Sequence, residues 1–301
     1  MAAHSPHVRS SVRAAVVAAL LLLTGFLSPG PNDPAYAQAP AAQPSRIVSL
    51  VPATTEMLFA MGAGDRLVGV GTYDRFPSDV GRLPRVGGLI DPDTERILAL
   101  RPELVIVYDT QVELKQRLDR ARLPYFSYEH RALPDIMTTV RVLGERVGAA
   151  ARAREVADEM DRALAAVRAS VTGQARPRTL LVFGRQPGTL RNVNASGGYG
   201  FLADLLDVAG AENVFDDIKQ QSVQASTEMM LARRPDVIVE LKYGAALRAL
   251  DIARELEPWT ALASVPAVRN KRLYLLTGDE FVVPGPRIVV AARRLARALH
   301  P

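Results

Sequence analysis

Apolar runs of strand length alternate with amphipathic segments along most of the chain. Runs with the length and composition of strands lie at 46–51, 66–71, 104–108, 124–129, 178–184, 236–240 and 272–276. Segments with helical periodicity or helix boundary signals lie at 55–64, 95–100, 111–121, 133–147, 149–170, 201–210, 228–233, 246–256 and 286–299. Because strands and helices alternate, the pattern predicts an α/β protein with mostly parallel sheets that helices cover on both faces.

One stretch of this pattern occurs twice. The sequence ERILALRPELVIV at 95–107 is matched without a gap by EMMLARRPDVIVE at 228–240. Both copies begin with a glutamate and join a short helix to a buried strand through the same Arg-Pro pair. The duplication predicts two similar lobes.

The region between the two copies predicts a long connecting helix. Residues 149–170 contain neither proline nor glycine, and their apolar positions form one stripe: 156, 160, 163, 164 and 167. At 1.5 Å per residue such a helix would be roughly 33 Å long. The predicted organisation is an N-terminal α/β lobe at 46–147, a connecting helix within 148–171 and a C-terminal α/β lobe at 172–301.

The N-terminus has the order of a secretory signal peptide. Basic residues precede an apolar run at 14–27, and a small-residue triplet ends at Ala37. The run is shorter than the roughly 20 residues that a spanning helix needs. We therefore expect cleavage after Ala37, a short linker at 38–45, and a mature protein that lies free in the periplasm and does not span the membrane.

Composition excludes several kinds of site. The chain has no cysteine, so it can form neither disulfides nor thiolate metal sites. The net charge of +5 and the pI near 9.7 suggest nucleic acid at first. The arginines, however, are scattered among acidic residues, as on solvated helix faces. We expect no nucleic-acid partner.

An enzymatic function has no support in the sequence. A nucleophile elbow of the form G-x-S-x-G is absent. The glycine-rich stretch NASGGYG contains Ser196, but the only histidine after it is His300, and the stretch lacks the phosphate-binding patterns. We expect no catalytic residue and no intrinsic cofactor. An exported hydrolase with the same layout is the alternative.

The layout predicts a binding cleft instead. Ligands of open parallel sheets bind beyond the carboxyl ends of the strands, and two facing lobes would build one cleft from both sets of loops. Aromatic side chains there can stack on a planar ligand, and arginines can pair with carboxylates or phosphates. The predicted ligand contacts are Tyr73, Tyr108, Arg185, Tyr199, Tyr243, Asp279, Phe281 and Arg287, with Tyr128 at a further strand end.

Several motifs together resemble one known family. RIVSLVPATTEMLFAMGAGDRLVGVGTYDRFP, GAENVF and GDEFVVPGPRIVVAARRLA, with both repeat copies and the signal peptide, resemble the periplasmic binding proteins for vitamin B12 and ferric siderophores. The resemblance covers essentially the whole mature chain. It implies two Rossmann-like lobes joined by a single rigid helix, in a receptor that delivers a metal chelate to an ABC importer. It also implies a monomer that partners a permease dimer in the membrane.

The resemblance gives the repeated glutamates a role. In this family one exposed glutamate on each lobe docks with arginines of the paired membrane subunits, and Glu95 and Glu228 match those positions. Both also lie in a first helical turn, where a negative charge favours the helix dipole. Docking and a favourable interaction with the helix dipole are therefore the two interpretations of the repeated glutamate.

The resemblance leaves the chelate open. Tyr73 and Tyr108 match aromatic positions that flank the corrin in the vitamin B12 binders, whereas Leu89 and Ser222 occupy positions where those proteins have tryptophan. We expect a cobalt corrinoid or a ferric chelate that arrives already ligated, so that no metal site of the protein is needed. A haem receptor of the same fold, using a tyrosine or His130, is the alternative. The single tryptophan, Trp259, is expected in the core.

Overall fold

The N-terminal lobe is a four-stranded parallel sheet between two layers of helices in a computed structural model, which describes residues 43–244 and 251–301. Its strands are β1 (Ile47–Ser49), β2 (Leu67–Val70), β3 (Leu104–Tyr108) and β4 (Tyr125–Tyr128). Its helices are α1 (Pro52–Ala60), α2 (Thr94–Ala99), α3 (Val112–Arg120) and α4 (Leu133–Arg146). The strand order is β2-β1-β3-β4, and every pair is parallel.

A long helix, α5 (Ala150–Ser170), follows the N-terminal lobe. Gly148 separates it from α4 with φ at +70°, a conformation that costs glycine little. The helix buries one stripe of side chains, made by Ala153, Val156, Ala157, Met160, Leu164 and Val167. It packs that stripe against helices of both lobes, which the apolar period in the sequence predicts.

The C-terminal lobe is a larger mixed sheet. Its strands are β5 (Arg178–Gly184), β6 (Val193–Ser196), β7 (Glu212–Asn213), β8 (Ser222–Ala225), β9 (Val237–Lys242) and β10 (Leu273–Thr277). Its helices are α6 (Phe201–Val208), α7 (Thr227–Arg233), α8 (Ile252–Leu256), α9 (Pro266–Arg269) and α10 (Ile288–Leu299). The order is β10-β9-β5-β6-β8, with β7 beside β5, and β6 runs antiparallel to both of its neighbours, β5 and β8.

The hydrophobic core is continuous between the lobes. One cluster of buried side chains includes Ile106 from the N-terminal sheet, Met160 from α5 and Val239 from the C-terminal sheet. Each sheet also has a separate cluster on its other face, and Trp259 is fully buried in the C-terminal one, as expected. The shared cluster means that the lobes cannot separate without exposing apolar surface.

The two copies of the repeat adopt the same local structure. Asp93 caps α2 by accepting a hydrogen bond from the Arg96 N–H at 3.0 Å, and Ser226 caps α7 in the same way at 3.2 Å. An arginine in the left-handed region follows each helix: Arg101, two residues after α2, has φ at 47°, and Arg234, directly after α7, has φ at 50°. A proline follows each arginine and leads into β3 or β9.

The predicted fold class, α/β with two lobes, is confirmed. The strands β6 and β8 were not predicted from the sequence, and the NASGGYG stretch was expected to be a loop although β6 includes its first three residues. The first helix begins at Pro52, earlier than the 55–64 segment predicted, because the fixed φ of proline suits the first helical position. Of the helix predicted at 246–256, residues 252–256 are observed as α8 with Asp251 as its N-cap, and 246–250 lie outside the described residues.

The predicted signal peptide, its cleavage site and most of the linker lie outside the described residues. Within the described ranges, no helix combines the length and the hydrophobicity that membrane crossing requires.

Candidate ligand-binding cleft

The cleft lies where loops at the strand ends of the two lobes meet. The ring of His130, just after β4, packs edge-on against Phe201 of α6, with centroids 4.9 Å apart. The backbone carbonyl of His130 accepts a hydrogen bond from Gln221 Nε2 at 2.8 Å, just before β8. The Leu133 N–H at the start of α4 donates to Asp204 Oδ2 at 2.7 Å. These contacts bring β4 of one lobe against α6 and β8 of the other.

A cavity of about 260 Å³ lies at this junction. It is lined mainly by aromatic and aliphatic side chains: His130, Phe183, Tyr199, Phe201, Leu202 and Val282. Burial lowers the pKa of His130, so its imidazole is neutral at pH 7. A larger cavity of about 460 Å³ lies among α4, α5 and α6, away from the strand ends, and its arginines already pair with neighbouring aspartates.

Three of the predicted contacts present aromatic surface to solvent. Tyr73 is 65% exposed, Tyr199 46% and Tyr243 38%. Tyr73 follows β2 and lies against Gly88, where an added Cβ would be 3.1 Å from the ring. Leu89 and Ile90 continue this exposed apolar surface. Such a wall suits a large planar ligand.

Gln111 holds the backbone of this exposed apolar surface in place and was not among the site residues predicted from the sequence. Its buried amide donates to the carbonyls of Gly88 and Leu89, both at 3.0 Å, while Oε1 accepts from the Tyr108 N–H at 3.0 Å. The segment that carries Leu89 is thus tied to the end of β3. Polar residues just after a strand are common, so the sequence carries no signal that would single out this one.

Tyr108 is partly covered within the N-terminal lobe. Its ring meets Tyr128 edge-on with centroids 6.1 Å apart. Burial raises the pKa of Tyr108 to about 12, and the nearby carboxylate of Asp74 adds to the effect. Tyr108 is therefore an uncharged phenol with one accessible edge at the end of β3.

Arg185 and Phe281 do not face the cleft, which corrects two of the predicted contacts. The side chain of Arg185 is fully buried, with Nε 3.0 Å from Glu240 and Nη2 3.3 Å from Glu255. Glu240 also accepts from Trp259 Nε1 at 2.9 Å. Phe281 is buried with the Arg294 guanidinium 5.0 Å from its ring centre. Their positions after strands are correct, but both side chains turn into the lobe.

Arg287 joins the lobes rather than offering a free charge. Its Nε and Nη2 donate to the two carboxylate oxygens of Glu56 in α1, at 2.9 and 2.5 Å. The guanidinium also lies 4.3 Å from the ring centre of Phe76 and 3.6 Å from Glu280. Burial raises the pKa of Glu56, while Arg287 opposes the shift. The sequence did contain a signal for Glu56, because it is a carboxylate within the apolar helical segment TEMLFAM. A charge buried in such a segment needs a partner.

Asp279 and Tyr243 lie together at the ends of β10 and β9. Asp279 Oδ1 accepts a hydrogen bond from the Gly244 N–H at 2.8 Å. The Arg75 guanidinium, from the N-terminal lobe, lies 3.7 Å from where a Cβ on Gly244 would be. Asp279 therefore shapes the loop beside Tyr243, opposite the loop that carries Tyr73.

Glu95 and Glu228 are exposed and occupy the second position of α2 and α7. The Ser226 hydroxyl lowers the pKa of Glu228. One turn further on, Leu98 is 39% exposed and Leu231 is 40% exposed. Each lobe thus presents a glutamate and a leucine on the same helix face, three residues apart.

The described residues contain no group of three or more histidine or acidic side chains arranged for a metal ion. Two α/β lobes with a shared core and aromatic loops between them define a protein that binds a ligand in an interlobe cleft. The chain belongs to the periplasmic binding protein family, whose model matches residues 47–280. The prediction that it is a substrate-binding protein and not an enzyme is confirmed at the level of the family.

Individual proteins are similar over most of the chain. A vitamin B12-binding protein of Yersinia pseudotuberculosis is 28% identical over 290 residues, which is 95% of this chain and 92% of the relative. The structure of a vitamin B12-binding protein of Vibrio cholerae has a TM-score of 0.72 at 23% identity, covering 85% of this chain and 97% of its own. That of a haem-binding protein of Pseudomonas aeruginosa has a TM-score of 0.72 at 25% identity, covering 86% and 93%.

Proposed function

We propose that the protein is a periplasmic receptor that captures a corrinoid between its lobes and delivers it to an ABC importer. The observation that carries the proposal is the aromatic cleft between two lobes that share a core. Tyr73, Tyr199 and Tyr243 offer exposed rings from both sides of it. A corrin macrocycle is large and flat, and stacking on aromatic faces is favourable for such a ligand.

The charges around the cleft support a ligand with little net charge. Arg287 is engaged by Glu56 and Glu280, and Lys242 lies 3.1 Å from Glu240 and 2.8 Å from Glu255. A multiply charged ferric chelate, or the two propionates of haem, would need cations that are not already paired. Arg75 is an exposed cation beside Gly244 and suits a single phosphate, as a cobamide carries.

The second candidate is haem. The similarity to the haem-binding protein of Pseudomonas aeruginosa favours it, as do the tyrosines at the strand ends and the neutral His130 in the small cavity. The same receptor fold would then deliver a different tetrapyrrole, with the propionates at the open edge of the cleft where solvent can replace protein cations.

Direct binding distinguishes these ligands. Purified mature protein should be titrated calorimetrically with cyanocobalamin, haemin and a ferric catecholate, and visible spectra recorded. We expect stoichiometric binding of cyanocobalamin, weaker or no binding of the ferric catecholate, and a loss of at least tenfold in affinity on Tyr73→Ala. Val142→Ala, an exposed apolar residue of α4, is the matched control and should leave affinity unchanged. If haemin binds more tightly than cyanocobalamin, the ligand is haem and not a corrinoid.

Docking to the importer is proposed to involve Glu95 and Glu228. Their duplicated positions, with Leu98 and Leu231 beside them, give each lobe one carboxylate next to an apolar side chain. A permease dimer has two-fold symmetry, so two similar patches can meet its two subunits in the same way. Carboxylates pair well with arginines across such an interface. The protein is proposed to act as a monomer, since one chain carries both patches.

A further inference from the structure

A buried carboxyl lies in the loop that follows β2. Asp74 is 1% exposed, and neither of its carboxyl oxygens has a hydrogen-bond partner among the described residues. Its backbone, in contrast, is firmly held. The Asp74 N–H donates to the Gly71 carbonyl at 3.2 Å, and its own carbonyl accepts from Arg85 Nη1 at 2.7 Å. Buried polar groups are nearly always paired, so this carboxyl requires an explanation.

Two polar groups near the carboxyl already have other partners. The Thr55 hydroxyl donates to Ser49 Oγ at 2.9 Å, and Arg85 Nη1 is used by backbone carbonyls. The titratable and charged groups that face Asp74 are Glu56 of α1, Arg85 after β2 and Tyr108 of β3. Glu56 is itself paired with Arg287.

These surroundings favour the uncharged acid. Burial raises the pKa of Asp74 to about 7, with Thr55 and Arg85 opposing the shift and Glu56 adding to it. An aspartate in water ionises near 3.9.

Asp74 lies in a loop whose neighbouring residues face outward. Tyr73 presents its ring to the cleft, Arg75 approaches Gly244 of the other lobe, and Phe76 lies under Arg287. Between them the Asp74 side chain turns inward, so closely that a Cβ on Gly71 would be 2.8 Å from Oδ2. The inward carboxyl and the outward aromatic residues therefore belong to one short loop.

We propose that Asp74 is a positioning residue that links ligand binding to one proton: its uncharged carboxyl holds the 71–77 loop in place, and its ionisation releases the loop. An ionised carboxylate without a hydrogen-bond partner is unfavourable in a buried site. It reaches water only if the loop lifts, which withdraws Tyr73 from the cleft. A ligand seated on Tyr73 keeps the loop down and so favours the protonated form.

The direction in which ligand affinity changes with pH follows from the linkage between proton binding by Asp74 and ligand binding. The pKa of Asp74 is raised in the folded loop, so the uncharged form is fully present at acidic pH and is lost as pH rises through about 7. Ligand binding therefore takes up a proton above that pH. For one proton, affinity falls by at most about tenfold for each further pH unit.

The test compares Asp74→Asn with the native protein. Asparagine has nearly the same shape and does not titrate in this range. The dissociation constant for cyanocobalamin should be measured from about pH 5.5 to about pH 8.5, in steps of about half a pH unit, which covers both sides of the pKa of Asp74. We expect the native constant to rise above pH 7 and the Asp74→Asn constant to stay flat. Asp79→Asn, an exposed carboxylate in the same lobe, should keep the native profile. Parallel profiles for Asp74→Asn and the native protein would overturn the proposal.

A ligand-free measurement separates this inference from the proposed function on which it rests. Hydrogen exchange of peptides spanning 71–77, corrected for the intrinsic rate, should be faster at high pH than at low pH in the native protein only. If no variant binds cyanocobalamin, the corrinoid proposal fails while the exchange data still decide the role of Asp74. Asp74→Ser serves if Asp74→Asn does not fold, and pH-independent exchange in the native protein rejects the inference.

Discussion

At the scale of single residues, the role of a charged side chain depends on which oppositely charged groups lie near it in the folded chain. Arg185 and Arg287 both follow strands of the C-terminal sheet in the predicted cleft region. In the folded chain Glu240 and Glu255 engage Arg185 inside the lobe, and Glu56 engages Arg287 across the lobes. Neither guanidinium is left free for an anionic ligand. Sequence position alone cannot distinguish a ligand contact from a structural ion pair.

Replacement of Arg185 by methionine should reduce stability and leave ligand affinity unchanged. The change keeps most of the side-chain volume but removes a buried partner of Glu240, which keeps Lys242 and Trp259 Nε1. Loss of one partner of a buried ion pair costs at most about 3–5 kcal/mol, and we expect a smaller loss here because Lys242 remains. Urea unfolding measures the loss, and calorimetric titration of the folded variant measures affinity. Arg233→Met is the control, because its partner Asp217 is exposed, and its unfolding midpoint should not move. If the Arg185→Met protein is as stable as the native one but binds the ligand more weakly, Arg185 is a ligand contact after all.

At the scale of elements, the repeated helix–strand unit is the clearest feature of the chain. Each copy has a capped short helix, an arginine in the left-handed region and a proline before the strand. The glutamate and leucine exposed on each copy contribute little to the core. Their duplication therefore favours a role outside the fold.

Replacement of Glu95 and Glu228 together by alanine should impair uptake without impairing binding. Both side chains are exposed, so folding and ligand affinity should hardly change. Uptake of labelled ligand by cells should fall by on the order of tenfold or more, because charged interface pairs are lost. Charge reversal to lysine should be worse, since it sets like charges face to face.

A matched control for this experiment exists in the N-terminal lobe. Glu113 is exposed at the second position of α3, like the two glutamates in their own helices, but it lies outside the repeat. Glu113→Ala should leave uptake normal. If the double variant also transports normally, Glu95 and Glu228 are helix-start residues only.

At the scale of the whole molecule, two connections limit movement of the lobes. The shared hydrophobic cluster runs through α5, and the Glu56–Arg287 ion pair joins the lobes at the cleft. Opening the cleft widely would expose apolar side chains and break a buried ion pair. Both changes are unfavourable.

Ligand should therefore cause only a small closure. Small-angle scattering of the ligand-free and ligand-bound protein should give nearly the same radius of gyration. Arg287→Met removes the ion pair but keeps the shared core, so its ligand-free radius should also remain close to the native one. A large change on ligand addition in the native protein would contradict the idea that α5 and its core restrain the lobes.

Much of the architecture could be predicted because it depends on periodicity. The apolar stripe of α5 and the duplicated unit around Arg101 and Arg234 follow from residue spacing alone. The strands β6 and β8 could not be predicted, since short polar edge strands such as SVQA lack a strong pattern. They form because β5 offers β6 an open edge and β6 then pairs with β8.

The sequence by itself determined the two lobes, the connecting helix, the family and the exposed glutamates, because these depend on local spacing and on the motifs of the family. Only the tertiary structure decided which side chains at the strand ends reach the cleft. Tyr73 faces outward, while its neighbour Asp74 turns into the lobe. The reason is that a loop side chain's direction is set by packing against residues distant in the chain, which a local pattern does not record.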